Sequence, residues 1–199
     1  MATRSQNSFA MRSMPSRRSD RQDRPVVVLV GMMGAGKTSV GREFAGRSEF
    51  VDLDKLIEQQ TGRTIREIFE TDGESAFRKL ELQALRDATT SGHYKVISTG
   101  GGIVTTSESR QLLQEMDAFV VWLTASNEEL TRRATKSGNR PLLDHDPGAK
   151  IEELMNQRAP LYAEVADLTL NTQGLSVKQV AQLVEEALKH HVADGKAAP

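Results

Sequence analysis

The sequence contains no cysteine. This absence excludes disulfide bonds, thiol nucleophiles and cysteine-ligated zinc from the chemistry of the protein. It also fits a reducing compartment, and we expect a cytoplasmic protein. Long apolar runs are missing as well. No stretch approaches the roughly 20 residues that a membrane helix requires, so we expect no membrane partner.

An excess of charge of either sign is also lacking. The 199 residues include 26 Lys and Arg against 27 Asp and Glu, which gives a formal net charge of −1. This balance argues against a protein built around non-specific nucleic-acid binding. The histidines show no metal-ligand spacing, and the chain is long enough for one domain with its own core.

The ends of the chain differ in composition from its middle. Residues 1–24 are rich in Arg and Ser and poor in apolar residues, so we expect a disordered N-terminal extension. They lack the apolar segment of a secretory signal, whereas an organelle transit peptide stays an alternative. We assign residues 25–190 to a single domain and residues 191–199 to a flexible tail.

Short apolar runs alternate with helical stretches from Pro25 onwards. This alternation predicts an α/β fold in which a five-stranded, mostly parallel sheet carries helices on both faces. The first run is nearly continuous Val and Leu, which is typical of a central strand buried on both faces. The strand candidates are Val26–Val30, Phe50–Leu53, Lys95–Ser98, Phe119–Leu123 and Leu168–Leu170.

Several helix boundaries are marked by their end signals. Thr64–Glu67 and Ser126–Glu129 have the spacing of capping boxes, in which the first side chain caps the helix and the Glu bonds back to it. Asp146 precedes a proline suited to the first helical position. The residues before it, Lys136–Asp146 (KSGNRPLLDHD), predict a loop long enough to serve as a mobile lid.

A glycine-rich motif follows the first strand candidate. Residues 31–38, GMMGAGKT, fit the pattern G-x-x-x-x-G-K-[ST] between a strand and a helical run, which is the context that a phosphate-binding loop requires. Its glycines allow backbone N–H groups to face a triphosphate, and the helix N-terminus adds about half a positive charge. Lys37 would bind the β- and γ-phosphates, and the Thr38 hydroxyl would bind Mg²⁺.

Two carboxylates end the second strand candidate, in Val51-Asp-Leu-Asp54. Ligands of open parallel sheets bind beyond the carboxyl ends of the strands, so we expect these side chains near the phosphate loop. One of Asp52 and Asp54 could hold Mg²⁺ through water, while the other accepts the proton of a substrate hydroxyl. In the alternative interpretation Asp54 only caps a helix that begins at Lys55.

A second glycine run, Gly100–Gly102, ends the third strand candidate. Three consecutive residues without side chains let a small rigid molecule lie against the backbone. The alternative is a plain strand-to-helix turn, although such a turn needs only one or two glycines.

The arginines Arg78 and Arg158 have two interpretations each. Arg78 lies at the edge of an apolar stripe, so it could reach a cleft, but the residues alone favour a surface ion pair with Glu74 four positions earlier. Arg158 precedes Pro160, which we expect to end its helix, and the charge could simply complement the helix C-terminus.

Taken together, these segments resemble the shikimate kinases over about residues 26–190. The resemblance rests on GMMGAGKT, FVDLD, TGRTIREIFETDGESAFRKLE, STGGG, NRPLL and RAPLY, which occur in the order and spacing of that family. It implies a P-loop kinase fold with a mobile lid and an ATP-dependent enzyme that phosphorylates the 3-hydroxyl of shikimate. It further implies Mg²⁺ as cofactor, shikimate and ATP as partners, and a monomer.

The resemblance also implies nucleotide-binding residues. Lys37 and Arg140 of the lid would act on the phosphates as catalytic residues, and Thr38 and Asp52 would hold the metal. Arg133 would stack on adenine, with Arg132 as a close rival, while the segment 171–176 lacks the basic and proline residues of many members. The implied nucleotide contacts are Gly34, Ala35, Gly36, Lys37, Thr38, Ser39, Arg133 and Arg140.

On the acceptor side, the resemblance assigns Asp54 to the hydroxyls of shikimate and makes it the candidate base. Arg78 and Arg158 would grip the substrate carboxylate, which replaces the surface interpretations given above. Gly100, Gly101 and Gly102 would lie beneath the ring. The alternatives are another small-molecule kinase, acting on a sugar acid or a nucleotide, and a catalytically silent nucleotide-binding relative.

Overall fold

A computed structural model describes residues 25–136 and 146–195 of the chain. Within this part, five strands form one sheet in the order β2-β3-β1-β4-β5, and every neighbouring pair is parallel. The predicted α/β class and the number of strands are therefore confirmed. The strands are β1 (Val26–Val30), β2 (Phe50–Asp52), β3 (Val96–Ser98), β4 (Ala118–Thr124) and β5 (Leu168–Asn171).

The central position of β1 follows from its composition. Val27, Val28, Leu29 and Val30 are all buried, and their side chains alternate between two separate apolar clusters. Since successive side chains of a strand point to opposite faces, both faces of the sheet are covered. The predicted layers of helix, sheet and helix are confirmed.

In the described part of the chain, seven helices connect or flank the strands, and a short 3₁₀ turn (Ile103–Thr105) follows the second glycine run. None of the described helices combines the length and apolar character needed to span a bilayer. The helices are α1 (Lys37–Ala45), α2 (Leu53–Thr61), α3 (Ile65–Thr90), α4 (Ser107–Glu115), α5 (Asn127–Lys136), α6 (Pro147–Val165) and α7 (Val177–Gly195).

The predicted helix starts are confirmed in two cases and only half formed in the third. The capping box Thr64–Glu67 is complete at the start of α3, and the Asp146 side chain caps α6 ahead of Pro147. At α5 the Ser126 hydroxyl accepts from the Glu129 amide, but the Glu129 carboxylate is bound by Arg132 and Arg133 instead of bonding back. Stronger charged partners therefore replace that half of the box.

The expected helix end at Pro160 is wrong. Helix α6 continues through Pro160 to Val165. A proline inside a helix costs about 3 kcal/mol or more, but Tyr162 and Val165 beyond it are buried in the core, and this packing holds the last turn in place. Of the predicted lid, residues 137–145 lie outside the described part of the chain.

Candidate active site

The carboxyl ends of β2, β3 and β1 lie side by side at one edge of the sheet. The phosphate loop follows β1, Asp52 is the last residue of β2, and the second glycine run comes after β3. Across this edge, a Cβ added to Gly101 would lie 3.5 Å from the Met33 amide nitrogen and 3.6 Å from the Gly31 carbonyl oxygen. The two glycine segments are therefore close neighbours, as expected when β1 and β3 are adjacent in the sheet.

The phosphate loop has the backbone shape that its glycines permit. Gly31, Gly34 and Gly36 have φ angles of 137°, 83° and 94°, which are disfavoured for other residues. A Cβ on Gly31 or Gly34 would also collide with the backbone carbonyls of Leu123 and Leu130. Lys37 begins α1, and its Nζ donates to the carbonyls of Gly31 (2.7 Å) and Met32 (3.0 Å).

Thr38 and Asp52 form the part of the site suited to a divalent cation. The Thr38 hydroxyl donates to Asp52 Oδ2 at 2.7 Å, so one hydroxyl and one carboxylate lie beside the phosphate loop. Among the described residues no group of three or more His, Cys, Asp or Glu could hold a metal alone. Mg²⁺ keeps much of its water and takes oxygen ligands from substrate phosphates, so this small oxygen donor set fits it.

The structure corrects the capping interpretation of Asp54. Helix α2 begins at Leu53, and Asp52 is the residue that caps it, accepting from the Lys55 amide. Asp54 lies in the first turn, and its Oδ1 is buried with no hydrogen-bond partner among the described residues. Burial and then the charge of Asp52 raise the pKa of Asp54, while Lys37 and Arg78 oppose the shift.

Arg78 is not a surface residue, although its predicted ion pair exists. Its side chain is only 11% exposed. The guanidinium donates to Glu74 at 2.8 Å and to Glu81 at 2.6 Å. The predicted pair with Glu74 was correct, but the buried partner Glu81 was missed.

Two glycines of the second run make room for these charged side chains. A Cβ on Gly102 would overlap with the Arg78 guanidinium. A Cβ on Gly100 would lie 2.5 Å from Glu81 Oε1 and 3.0 Å from Asp54 Oδ1. The space that we expected to serve only the acceptor is therefore also needed by the protein's own side chains.

Arg158 approaches the same run from α6. Its Nη1 donates to the Gly101 carbonyl at 3.1 Å, and the Tyr162 hydroxyl donates to the same oxygen. Since α6 continues for two turns past Arg158, the interpretation as a charge at a helix C-terminus is wrong. Arg78 and Arg158 therefore both reach the glycine run, Arg78 near Gly102 and Arg158 near Gly101.

Sequence reasoning missed Glu81 and Tyr162. A signal for Glu81 was present: it lies four residues after Phe77 and three before Ala84, within the apolar stripe of α3. A charged residue in such a stripe is buried only with a partner. Tyr162 gave no separate signal beyond its place in RAPLY, and burial raises the pKa of its hydroxyl.

A cavity of 720 Å³ opens beside the phosphate loop. It is lined by residues 34–40 and by Arg132, Arg133, Thr172 and residues 174–177. Arg133 is held by Glu129 and donates to the Thr172 hydroxyl at 2.9 Å, whereas Arg132 is 53% exposed. Both predicted candidates for the adenine contact therefore line the cavity. Arg140 lies outside the described residues.

Comparison with known proteins adds a family to this geometry. The sequence model of the family described as "Shikimate kinase" matches residues 33–189. A protein named shikimate kinase from Bordetella pertussis is 46% identical over 165 residues, which cover 81% of this chain and 76% of that protein. One of the same name from Marinomonas sp. is 45% identical over 172 residues, covering 84% and 94%.

Solved structures give the same result. Shikimate kinase from Acinetobacter baumannii in complex with shikimate has a TM-score of 0.78 and 39% identity, covering 84% of this chain and 94% of that one. The crystal structure of shikimate kinase from Aquifex aeolicus has a TM-score of 0.69 and 27% identity, covering 84% and 98%.

Proposed function

The chain belongs to the shikimate kinase family, and from this membership we infer that it transfers the γ-phosphoryl group of ATP to the 3-hydroxyl of shikimate. The products are ADP and shikimate 3-phosphate, an intermediate of aromatic amino-acid biosynthesis. The observation that carries this function is the family match over residues 33–189, which includes the phosphate loop from Met33, Asp54 and both arginines of the acceptor side.

The acceptor is bound, in this proposal, between Arg78 and Arg158. Two planar guanidinium groups recognise one planar carboxylate, a pairing that fixes orientation as well as charge. The ring lies over the Gly100–Gly102 backbone, next to the phosphate loop. Its 3-hydroxyl then faces the Asp54 carboxylate, which lies beside Gly100.

In the transfer, the acceptor hydroxyl loses its proton, one P–O bond forms to the acceptor and one P–O bond to ADP breaks. Asp54 accepts the proton of the 3-hydroxyl while the acceptor oxygen attacks the γ-phosphorus and the bond to ADP breaks. The raised pKa of Asp54 makes it a better proton acceptor than an ordinary carboxylate. Lys37 stabilises the charge on the transferred group, and we assign the same role to Arg140, which lies outside the described residues.

Thr38 and Asp52 would hold Mg²⁺ at the phosphates, where the ion supplies charge neutralisation. We expect removal of divalent cations with EDTA to abolish turnover and added Mg²⁺ to restore it, because the described residues offer the ion only the oxygens of Thr38 and Asp52. Turnover measured with and without EDTA tests this. Full activity without divalent cations would contradict it.

We also propose a cytoplasmic monomer that contacts neither nucleic acid nor membrane. Over residues 25–136 and 146–195 only Val177 and Leu183 are large exposed apolar side chains, which leaves little apolar surface for a stable interface. A cytoplasmic location supplies the ATP that the reaction consumes.

An acceptor panel tests the function. ADP release is measured with shikimate, with a nucleoside monophosphate, with a sugar acid and without acceptor. We expect rapid release only with shikimate and a product phosphorylated at the 3-hydroxyl. Equal release with a nucleotide or sugar acid, or no release with shikimate, would overturn the proposal.

A further inference from the structure

Glu81 is a buried carboxylate that the proposed mechanism does not use. Glu81 lies on the core-facing side of α3, where 0% of its surface is exposed to solvent. One oxygen, Oε2, accepts from Arg78 Nη1 at 2.6 Å. The other, Oε1, is buried without a hydrogen-bond partner among the described residues. An ionised carboxylate in this position leaves a charged oxygen unsolvated, which is strongly unfavourable.

Asp54 presents a second such oxygen at the same place. Asp54 Oδ1 and Glu81 Oε1 both lie within 3.0 Å of the point where a Cβ on Gly100 would sit, and each lacks a donor among the described residues. Two carboxylates this close repel each other when both are ionised. A proton on one of them removes the repulsion and supplies a hydrogen-bond donor.

We propose that Glu81 is a positioning residue that acts as a neutral carboxylic acid, with Oε2 accepting from Arg78 and Oε1–H directed toward Asp54, so that shikimate binding takes up a proton at Glu81. The proposal rests on the function given above, because it needs the acceptor carboxylate at Arg78.

The groups that face Glu81 agree with this state. Burial raises the pKa of Glu81 to about 7; Asp54 of α2 acts in the same direction, while Arg78 and Arg158 oppose it. The Tyr162 hydroxyl of α6 is neutral, since burial raises its pKa. Near neutral pH the empty site therefore holds Glu81 partly protonated.

The charge of Arg78 explains why the acceptor anion binds more tightly when Glu81 is protonated. Arg78 already contacts two carboxylates, Glu74 and Glu81. If both are ionised, its positive charge is more than balanced before the acceptor anion arrives. With Glu81 neutral, that charge is available to the anion, so the anion binds the protonated form more tightly and draws in a proton.

The test is calorimetric titration of shikimate into the full-length enzyme in buffers with different ionisation enthalpies, between pH 6 and 8.5. We expect proton uptake on binding near pH 7.5 and a dissociation constant that rises with pH, by up to about tenfold per unit above the pKa of the free site. In Glu81→Gln, which is neutral at all pH and keeps an amide donor toward Asp54, uptake disappears and the pH profile is flat.

Glu74→Gln is the matched control, because it changes the exposed carboxylate on the same guanidinium. It should retain proton uptake. No uptake and a flat profile in the wild type would overturn the inference, with no need for a folded variant. The same uptake in Glu81→Gln as in wild type would also overturn it. If the wild type does not bind shikimate at all, the proposed function fails, and the inference with it.

Discussion

The Arg78 guanidinium is nearly buried and belongs to the proposed acceptor site. Its removal should therefore affect the binding of shikimate and not that of ATP. A charged hydrogen-bonding group contributes about 1.5–3 kcal/mol, equivalent to roughly ten- to a hundredfold in affinity. We expect Arg78→Ala to weaken shikimate binding by this factor while ATP binding changes little. Binding constants for both ligands measure the split.

Arg66→Ala is a suitable control for Arg78→Ala. Arg66 lies on the same helix and pairs with Glu70 four residues on, but it is 63% exposed. It should leave both affinities unchanged. If Arg78→Ala weakens ATP and shikimate equally, Arg78 supports the fold and not the acceptor site.

The buried acid Glu81 should also appear in the pH dependence of stability. Its folded pKa of about 7 lies above its unfolded value of 4.5, so the folded state binds more protons between these values. The stabilising contribution of Glu81 to the free energy of unfolding is fully present below pH 4.5 and is lost as the pH rises toward 7. The shift corresponds to about 3 kcal/mol.

Urea unfolding of wild type and Glu81→Gln at pH 5 and pH 8 measures this effect. Since glutamine does not titrate, we expect the variant to gain about 2–3 kcal/mol relative to wild type between the two pH values. A free-energy difference that is the same at both pH values would show that Glu81 is ionised throughout.

Among the structural elements, the second glycine run has the most specific requirement for its residue type. Because a Cβ on Gly102 would take up space that the Arg78 guanidinium occupies, we expect Gly102→Ala to displace Arg78. Shikimate binding should then weaken tenfold or more. Nucleotide binding should change little. Titration of each ligand checks both expectations.

Gly148→Ala serves as the control for Gly102→Ala. Among the described residues, its added Cβ would meet Asp146 Oδ1 alone, at an ordinary distance of 3.5 Å, so acceptor binding should be preserved. Unchanged shikimate affinity in Gly102→Ala would mean that Arg78 does not need this space.

The same elements show how far local pattern can be used for prediction. The phosphate loop and the Thr64 capping box are contained in eight and four consecutive residues, so their residue types specify them directly. The inner strands β1, β3 and β4 could be predicted because parallel strands buried on both faces are continuously apolar. The end of β2 was missed by one residue, since Leu53 begins α2.

Contacts between distant elements could not be predicted in this way. Gly100 is near Glu81 and Asp54 only because β3, α3 and α2 pack together. The continuation of α6 past Pro160 depends on tertiary burial of Tyr162 and Val165, which outweighs the local preference of proline.

In the whole molecule, the sheet order places the phosphate loop and the second glycine run at one edge. Strand β1 contributes the phosphate loop, and its neighbour β3 contributes the glycine run. The proposed nucleotide and acceptor sites are therefore adjacent, since ligands of open parallel sheets bind beyond the carboxyl ends of the strands. The resemblance to a family specified this arrangement; composition and spacing alone indicated only a nucleotide and a second ligand.

In the proposed site, two guanidinium groups hold the carboxylate of the acceptor beside the phosphate loop. The most direct measurement is the ratio of dissociation constants for shikimate and its uncharged methyl ester, in wild type and in the double variant Arg78→Met/Arg158→Met. We predict that wild type prefers shikimate by about a hundredfold or more and that the double variant binds both equally. An equal preference for shikimate in both proteins would contradict the claim.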